Sequence, residues 1–168
     1  NSEIIEETVL GISLSGGCDS MVCLIVIILL NRFGYLPKLK TIKISHINYQ
    51  QRNLATKEAE FLVNYANKLG SNIDLDINIK TSTCQPASNF QSFTDYDKHA
   101  TETRFNSYIS SGAKFFIVGH NIGDVLENVL QNIFNVGSVV KCSLLEICGM
   151  TYMTNRLGTN IYRPLLLV

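Results

Sequence analysis

The residues best placed to do chemistry lie near the start of the chain, in the run Ser15-Gly16-Gly17-Cys18-Asp19-Ser20. Two adjacent glycines permit backbone angles closed to other residues and let a ligand come close to the main chain. Successive backbone N–H groups in such a turn converge on an anion, and Ser15 and Ser20 add hydroxyl donors. The run follows an apolar, strand-like segment, Thr8–Ser13, and opens a segment of helical length, so the first amides of a helix aim at the same place. The chemistry is phosphate binding. Asp19 repels a bare phosphate, which assigns it to a cation, Mg2+, set between carboxylate and phosphate oxygens. The lysine of a Walker A loop is missing. The loop therefore suits pyrophosphate cradled as a leaving group after attack at an α-phosphate. A lone Ser-Gly-Gly would read as an ordinary glycine turn; the full run, between strand and helix, carries the phosphate reading.

Such a loop needs a strand and a helix to hold it, and the rest of the chain supplies that pattern. Its 168 residues, 46% of them apolar, suit one domain with one core. Strand-like and helix-like stretches alternate, which predicts an α/β fold with a parallel sheet. Helices are expected over Ser20–Arg32, Thr56–Leu69, Tyr96–Ser110 and Gly123–Phe134. Strands are expected over Thr8–Ser13, Thr41–Ile47, Ile73–Ile79, Lys114–Gly119 and, more weakly patterned, Asn160–Tyr162. The second helix is the clearest: Ala59, Leu62, Tyr65, Ala66 and Leu69 share one face, and Gly70 stands where a helix stop belongs. Gly112 ends the third helix in the same way. Thr81–Thr94 is polar and aperiodic and reads as a loop.

Composition excludes several classes. Fourteen basic residues balance fourteen acidic ones, so the domain cannot grip nucleic acid by bulk electrostatics alone. Five cysteines, an odd number with no CxxC pair, argue against a disulfide framework or zinc site and for a reducing compartment, cytoplasmic or organellar. Most of them read as small buried hydrophobes. The longest apolar run, Met21–Leu30, is far shorter than the ~20 residues that span a bilayer, so no membrane partner is expected. The start at Asn1 and the stop after Leu165-Leu166-Leu167 read as the ends of a fragment. Nothing in the sequence sets an oligomeric state.

Ser15–Ser20 resembles the PP-loop of N-type ATP pyrophosphatases. Three further segments resemble the tRNA(Ile)-lysidine synthetase branch: Ser45-His46-Ile47-Asn48-Tyr49 with Arg52; Gly119-His120-Asn121-Ile122-Gly123-Asp124-Val125-Leu126-Glu127-Asn128; and Gly149-Met150 followed by Arg163-Pro164-Leu165-Leu166. The resemblance covers nearly the whole chain. It implies a doubly wound, five-stranded parallel sheet with helices on both faces and the nucleotide at the carboxyl ends of the strands. It implies ATP and Mg2+ as cofactors, with Ser15, Gly16, Gly17, Cys18, Asp19, Ser20, His46, Arg104, Gly119 and His120 around the nucleotide. Asp19 and Asp124 would hold metal, and Asp19, Arg104, Asp124 and Glu127 would carry catalysis. Arg104 would clamp the α-phosphate.

The implied reaction adenylates the wobble cytidine of a tRNA(Ile) with a CAU anticodon and releases pyrophosphate; free L-lysine then displaces AMP. The C-terminal tRNA-binding domains that the family carries are not in this chain. The pattern is also altered: Asn121 stands for a second histidine, Gly123 for a first aspartate, Asn128 for a threonine, Tyr49 for a histidine and Thr101 for an arginine. Without the resemblance, His46 and His120 read equally as hydrogen-bonders to nearby backbone, Asp124 and Glu127 as carboxylates favourable to a helix N-terminus, and Arg104 and Arg163 as solvated charges. Two other functions stay open beside lysidine formation: a PP-loop tRNA thiolase, and a degenerate module that binds ATP or AMP without turnover.

Overall fold

The computed structural model describes residues 9–36, 39–51, 53–73, 75–135 and 150–168, of which 131–135 are described by their backbone alone. The strands are β1 (Val9–Ser13), β2 (Thr41–Asn48), β3 (Asp76–Thr83), β4 (Phe115–Val118), β5 (Met153–Arg156) and β6 (Thr159–Tyr162). They form one sheet in the order β3-β2-β1-β4-β6-β5. The first five in that order run parallel, as the sequence predicts. The sixth corrects the expected strand count: β5 is an antiparallel edge strand paired with β6. Its two-residue turn, Leu157-Gly158, has positive φ at both positions, 51° and 80°, the backbone of a tight type I′ hairpin turn. Leucine rarely adopts that conformation, so the pair gives none of the usual hairpin signal.

Helices α1 (Cys18–Arg32), α2 (Ala55–Ser71), α3 (Phe93–Ser111) and α4 (Ile122–Asn135) follow β1, β2, β3 and β4 in turn. One apolar cluster joins Leu24 and Ile28 of α1 and Leu62 and Ala66 of α2 to Ile12, Ile42 and Ile44 of the sheet. A second, containing Tyr108 of α3, Phe116 and Val118 of β4 and Ile161 of β6, is separate from it. The sheet is therefore packed through alternate residues on both faces, as a doubly wound fold requires. Gly11 belongs to this packing: a Cβ there would lie 2.5 Å from the Phe116 ring, which in turn stacks on Tyr108 at 4.2 Å.

Several element ends differ from the sequence reading. The first helix starts at Cys18, two residues early, with Gly17 at its N-cap. Gly70 does not stop α2, which runs on to Ser71 with Asn72 as the C-cap. The third strand starts at Asp76 and continues through the polar Thr81-Ser82-Thr83, because those residues pair with His46, Ile47 and Asn48 of β2. Helix α3 begins at Phe93, capped by the Ser92 hydroxyl, which accepts the Asp95 N–H at 3.1 Å. Gly112 ends it in the left-handed conformation, φ 76°, as predicted. No helix among the described residues is long and apolar enough to cross a membrane.

The chain turns to one side of β1 to place β2 and β3, then to the other to place β4. The crevice opened by that reversal, at the carboxyl ends of β1 and β4, is where open α/β sheets bind ligands.

Candidate active site

A cavity of about 290 Å³ occupies this crevice. Ser15, Gly17, Asp19, Ser20, Arg104, Gly119, His120 and Asp124 all line it, so three separate segments of the predicted site converge. The loop after β1 is braced internally. Ser15 Oγ accepts the Gly17 N–H at 3.2 Å and lies 3.1 Å from Ser20 Oγ. The buried Ser20 hydroxyl donates to the Gly17 carbonyl at 2.9 Å. The two hydroxyls expected to reach a phosphate thus hold the turn, and the groups left to meet an anion are the first amides of α1, which a helix leaves without internal acceptors.

Gly119, at the end of β4, touches that same turn. A Cβ on it would meet Asp19 C and Ser20 N, both at 2.8 Å. Two residues on, Asn121 ties the two acidic positions together. Its Nδ2 donates to Asp19 Oδ2 at 3.0 Å, while its backbone N–H donates to Asp124 Oδ2 at 2.7 Å. Its Oδ1 accepts from the amides of Gly123 at 2.6 Å and Asp124 at 3.3 Å. Asn121 and Asp124 form a reciprocal capping box for α4, and the same asparagine aims Asp19 at the cavity. Asp124 is therefore a helix-capping carboxylate and a cavity residue at once. The Asn-x-x-Asp spacing announces the cap in the sequence; the contact with Asp19 spans 102 positions and does not.

Asp19 and Asp124 supply hard oxygen donors to one cavity, and Mg2+ commonly takes one or two carboxylates and completes its shell with phosphate oxygens and water. The residues present fit that ion. No cluster of three or more His, Cys, Asp or Glu that could hold a metal occurs among the described residues.

Arg104 reaches the cavity from α3, and its Nη2 donates to the Tyr49 hydroxyl at 3.1 Å. Hydroxyls seat that part of α3 on the sheet: Ser107 with Ser45 at 2.7 Å and Ser82 at 3.3 Å, and Tyr108, which donates to Ser13 at 2.7 Å. Opposite, the Arg163 Nε–H donates to His120 Nδ1 at 3.2 Å. Arg163 is 9% exposed, so it is a buried structural cation and not the solvated charge that the residues alone allowed. Burial, Arg163 and Arg104 push the His120 imidazole below its ordinary 6.5, against Asp124. The folded state then resists a proton that the unfolded chain accepts. His120 contributes its full stability above about pH 6.5 and loses it as pH falls below that value. Melting temperatures measured across that range should drop more steeply for the native protein than for His120→Gln; parallel curves would disprove the coupling.

Four predicted residues lie outside the cavity lining. Gly16, with φ 90°, borders a second cavity beside α2. Cys18 is exposed, its thiol 3.6 Å from Asp19 Oδ1. His46 is buried with Nδ1 2.8 Å from the Leu14 carbonyl, the backbone role its strand-end position allowed, and it borders a neighbouring pocket with Ser15. Glu127 is exposed on α4. Arg52, Cys142, Cys148 and Gly149 lie outside the described residues. Tyr49, Tyr108 and Arg163 were not singled out as site residues by sequence, since nothing in an isolated tyrosine's position shows that it backs an arginine.

A braced glycine turn after β1, opening a helix at the switch point of a mostly parallel sheet, is the arrangement of an α/β domain of the PP-loop kind. The chain belongs to the PP-loop domain family, which matches residues 2–168. Among solved structures, it is similar to the U34-tRNA thiolase NcsA from Methanococcus maripaludis with its 4Fe-4S cluster: TM-score 0.64, 17% identity, covering 98% of this chain and 54% of that one. The chain thus spans about half the length of that protein, and the likeness is one of fold. No curated protein sequence matches the chain. Neither comparison singles out the lysidine branch. For an iron–sulfur cluster the described cysteines are ill placed: Cys18 is exposed, while Cys23 and Cys84 are buried, and no three come together. Burial raises both buried thiols above their usual range, which leaves them protonated and inert.

Proposed function

We propose that this domain is the ATP-using core of a tRNA-modifying enzyme that adenylates a base, releasing pyrophosphate and, in a second step, AMP. The observation that carries the reading is the braced loop after β1 with Asp19 aimed beside it and no Walker lysine. In this reading the amides of Cys18–Ser20 receive the pyrophosphate. Asp19 and Asp124 would hold Mg2+, which would supply charge neutralisation at the phosphates. Arg104 faces the α-phosphate, and Gly119 and His120 close the cavity floor. Catalysis is positioning and electrostatic stabilisation at phosphorus, with no nucleophilic side chain required.

For the second step, two readings each have an observation behind them. Sulfur transfer has the fold likeness to a tRNA thiolase. Attack by free lysine on a CAU-anticodon tRNA(Ile) has the four motifs, with Glu127 assigned to the amine. Thiolation takes precedence, because Glu127 is not among the residues lining the cavity, where the other catalytic candidates Asp19, Arg104 and Asp124 meet.

The test uses the full protein containing this domain, α-labelled ATP and Mg2+, and scores AMP against ADP with tRNA, lysine and a sulfur donor added singly and together. AMP dependent on tRNA supports the adenylation reading, and the co-substrate that accelerates it names the nucleophile. Bound but uncleaved ATP under all conditions would replace the enzyme with a nucleotide-binding module.

A further inference from the structure

We propose that Arg163 is a positioning residue that fixes the tautomer of His120, so that this imidazole serves the cavity as a neutral hydrogen-bond donor and not as a base. The inference rests on the reading that the cavity takes the phosphates of ATP, and it deepens that reading by giving one wall of the site a definite polarity.

Arginine carries five N–H donors and no acceptor, so the contact between its Nε and His120 Nδ1 at 3.2 Å requires Nδ1 to present a lone pair. A neutral imidazole with a lone pair on Nδ1 carries its proton on Nε2. Arg163 cannot easily turn away, because its Nη1 also donates to the Thr151 carbonyl at 2.9 Å and to Thr154 Oγ1 at 3.1 Å. These anchors lie just before and within β5, the edge strand that the sequence did not announce. The antiparallel hairpin thereby locks an arginine, and the arginine locks a histidine.

The charges around the ring act in the same sense. Arg163 faces it from the end of β6, Arg104 from α3 and Asp124 from α4. Two cations against one carboxylate disfavour a third positive charge. A proton on Nδ1 would also break the bond to Arg163. The ring borders the cavity, and Nε2–H is the one polar atom it has left to offer there, suited to a phosphate oxygen.

His46 makes the contrast. Its Nδ1 faces the Leu14 carbonyl at 2.8 Å, which can only accept, so its proton sits on Nδ1. Two histidines, one on β2 and one just past β4, the strands that flank β1, thus hold opposite tautomers, each set by its neighbour. A consequence follows for the chemistry: His120 does not take up the proton released by the incoming nucleophile, and that proton leaves by another group.

The test is nitrogen NMR of protein labelled at histidine with 15N, with His120 assigned by the signals lost in His120→Gln. In the native protein without nucleotide, at neutral pH, Nε2 is expected as the protonated nitrogen and Nδ1 as the hydrogen-bonded lone-pair nitrogen. Arg163→Met should release the ring to a mixture of tautomers; should that variant not fold, the native spectrum decides alone. Binding of α,β-methylene-ATP, followed separately by calorimetry, should move the Nε2–H proton resonance. His120→Ala should weaken that binding by about tenfold, the scale of one hydrogen bond to a charged group, and His120→Gln should restore much of it.

A native His120 protonated on Nδ1, or on both nitrogens, overturns the inference whatever the nucleotide does. A native Nε2–H tautomer with no binding of the analogue leaves the Arg163–His120 pair standing, refutes its service to phosphate, and counts against the proposed function.

Discussion

Replacing Gly119 by alanine should abolish nucleotide binding, although the change adds one methyl group and touches no charge. The added Cβ would lie 2.8 Å from two backbone atoms of the loop, Asp19 C and Ser20 N, and 3.0 Å from Asp19 O. A flexible side chain could move aside; main chain at the start of a helix cannot do so without moving the amides it presents. Overpacking of this kind costs about 1–3 kcal/mol, and in a domain of this size each kcal/mol lowers the melting temperature by about 2–4 °C. The loss of function should exceed the loss of stability, because the atoms displaced are the anion donors themselves. Calorimetry with an ATP analogue and a melting curve on the same sample separate the two. A folded variant with native affinity would show that the loop's contact with β4 is irrelevant to the phosphate site.

Asp19→Asn should lower turnover by about 10²–10³, the scale seen when one stabilising group is removed from a charged transition state. The amide has the carboxylate's shape and its oxygen can still accept from Asn121, so the melting temperature should stay close to native. The lost quantity is negative charge toward a cation, so half-maximal activity should require more Mg2+. A variant with native turnover and an unchanged Mg2+ requirement would remove the cation from Asp19 and return the residue to loop structure.

How far the sequence revealed this site depends on how local each signal is. The glycine turn between β1 and α1 was legible, since its glycines, hydroxyls and carboxylate sit within six residues, although its hydroxyls brace the turn itself. So was the amphipathic face of α2, where Ala59, Leu62 and Ala66 are buried as the spacing requires. The end of β3 was not, because Thr81-Ser82-Thr83 have no alternation to betray a strand whose partners lie more than thirty positions away. The β5–β6 hairpin was hidden by Leu157 in a conformation that its type disfavours. Long-range polar contacts were the least legible. Arg163 was legible as part of a motif, yet its burial depends on a carbonyl and a hydroxyl from the neighbouring strand and its approach. The hydroxyl contacts of Ser45 and Ser82 with Ser107 span 62 and 25 positions, and no local spacing announces them.

Because the Asn121 side chain both ends α4 and restrains Asp19, the two cannot loosen independently. In terms of amide hydrogen exchange, fraying of the first turn of α4 frees the asparagine, and an asparagine swung out to reach solvent uncaps the helix. The amides of Gly123 and Asp124 and those at the start of α1 should therefore belong to one cooperative opening unit, although more than a hundred residues of chain separate them. A ligand that settles on the loop would slow exchange at α4 without touching it.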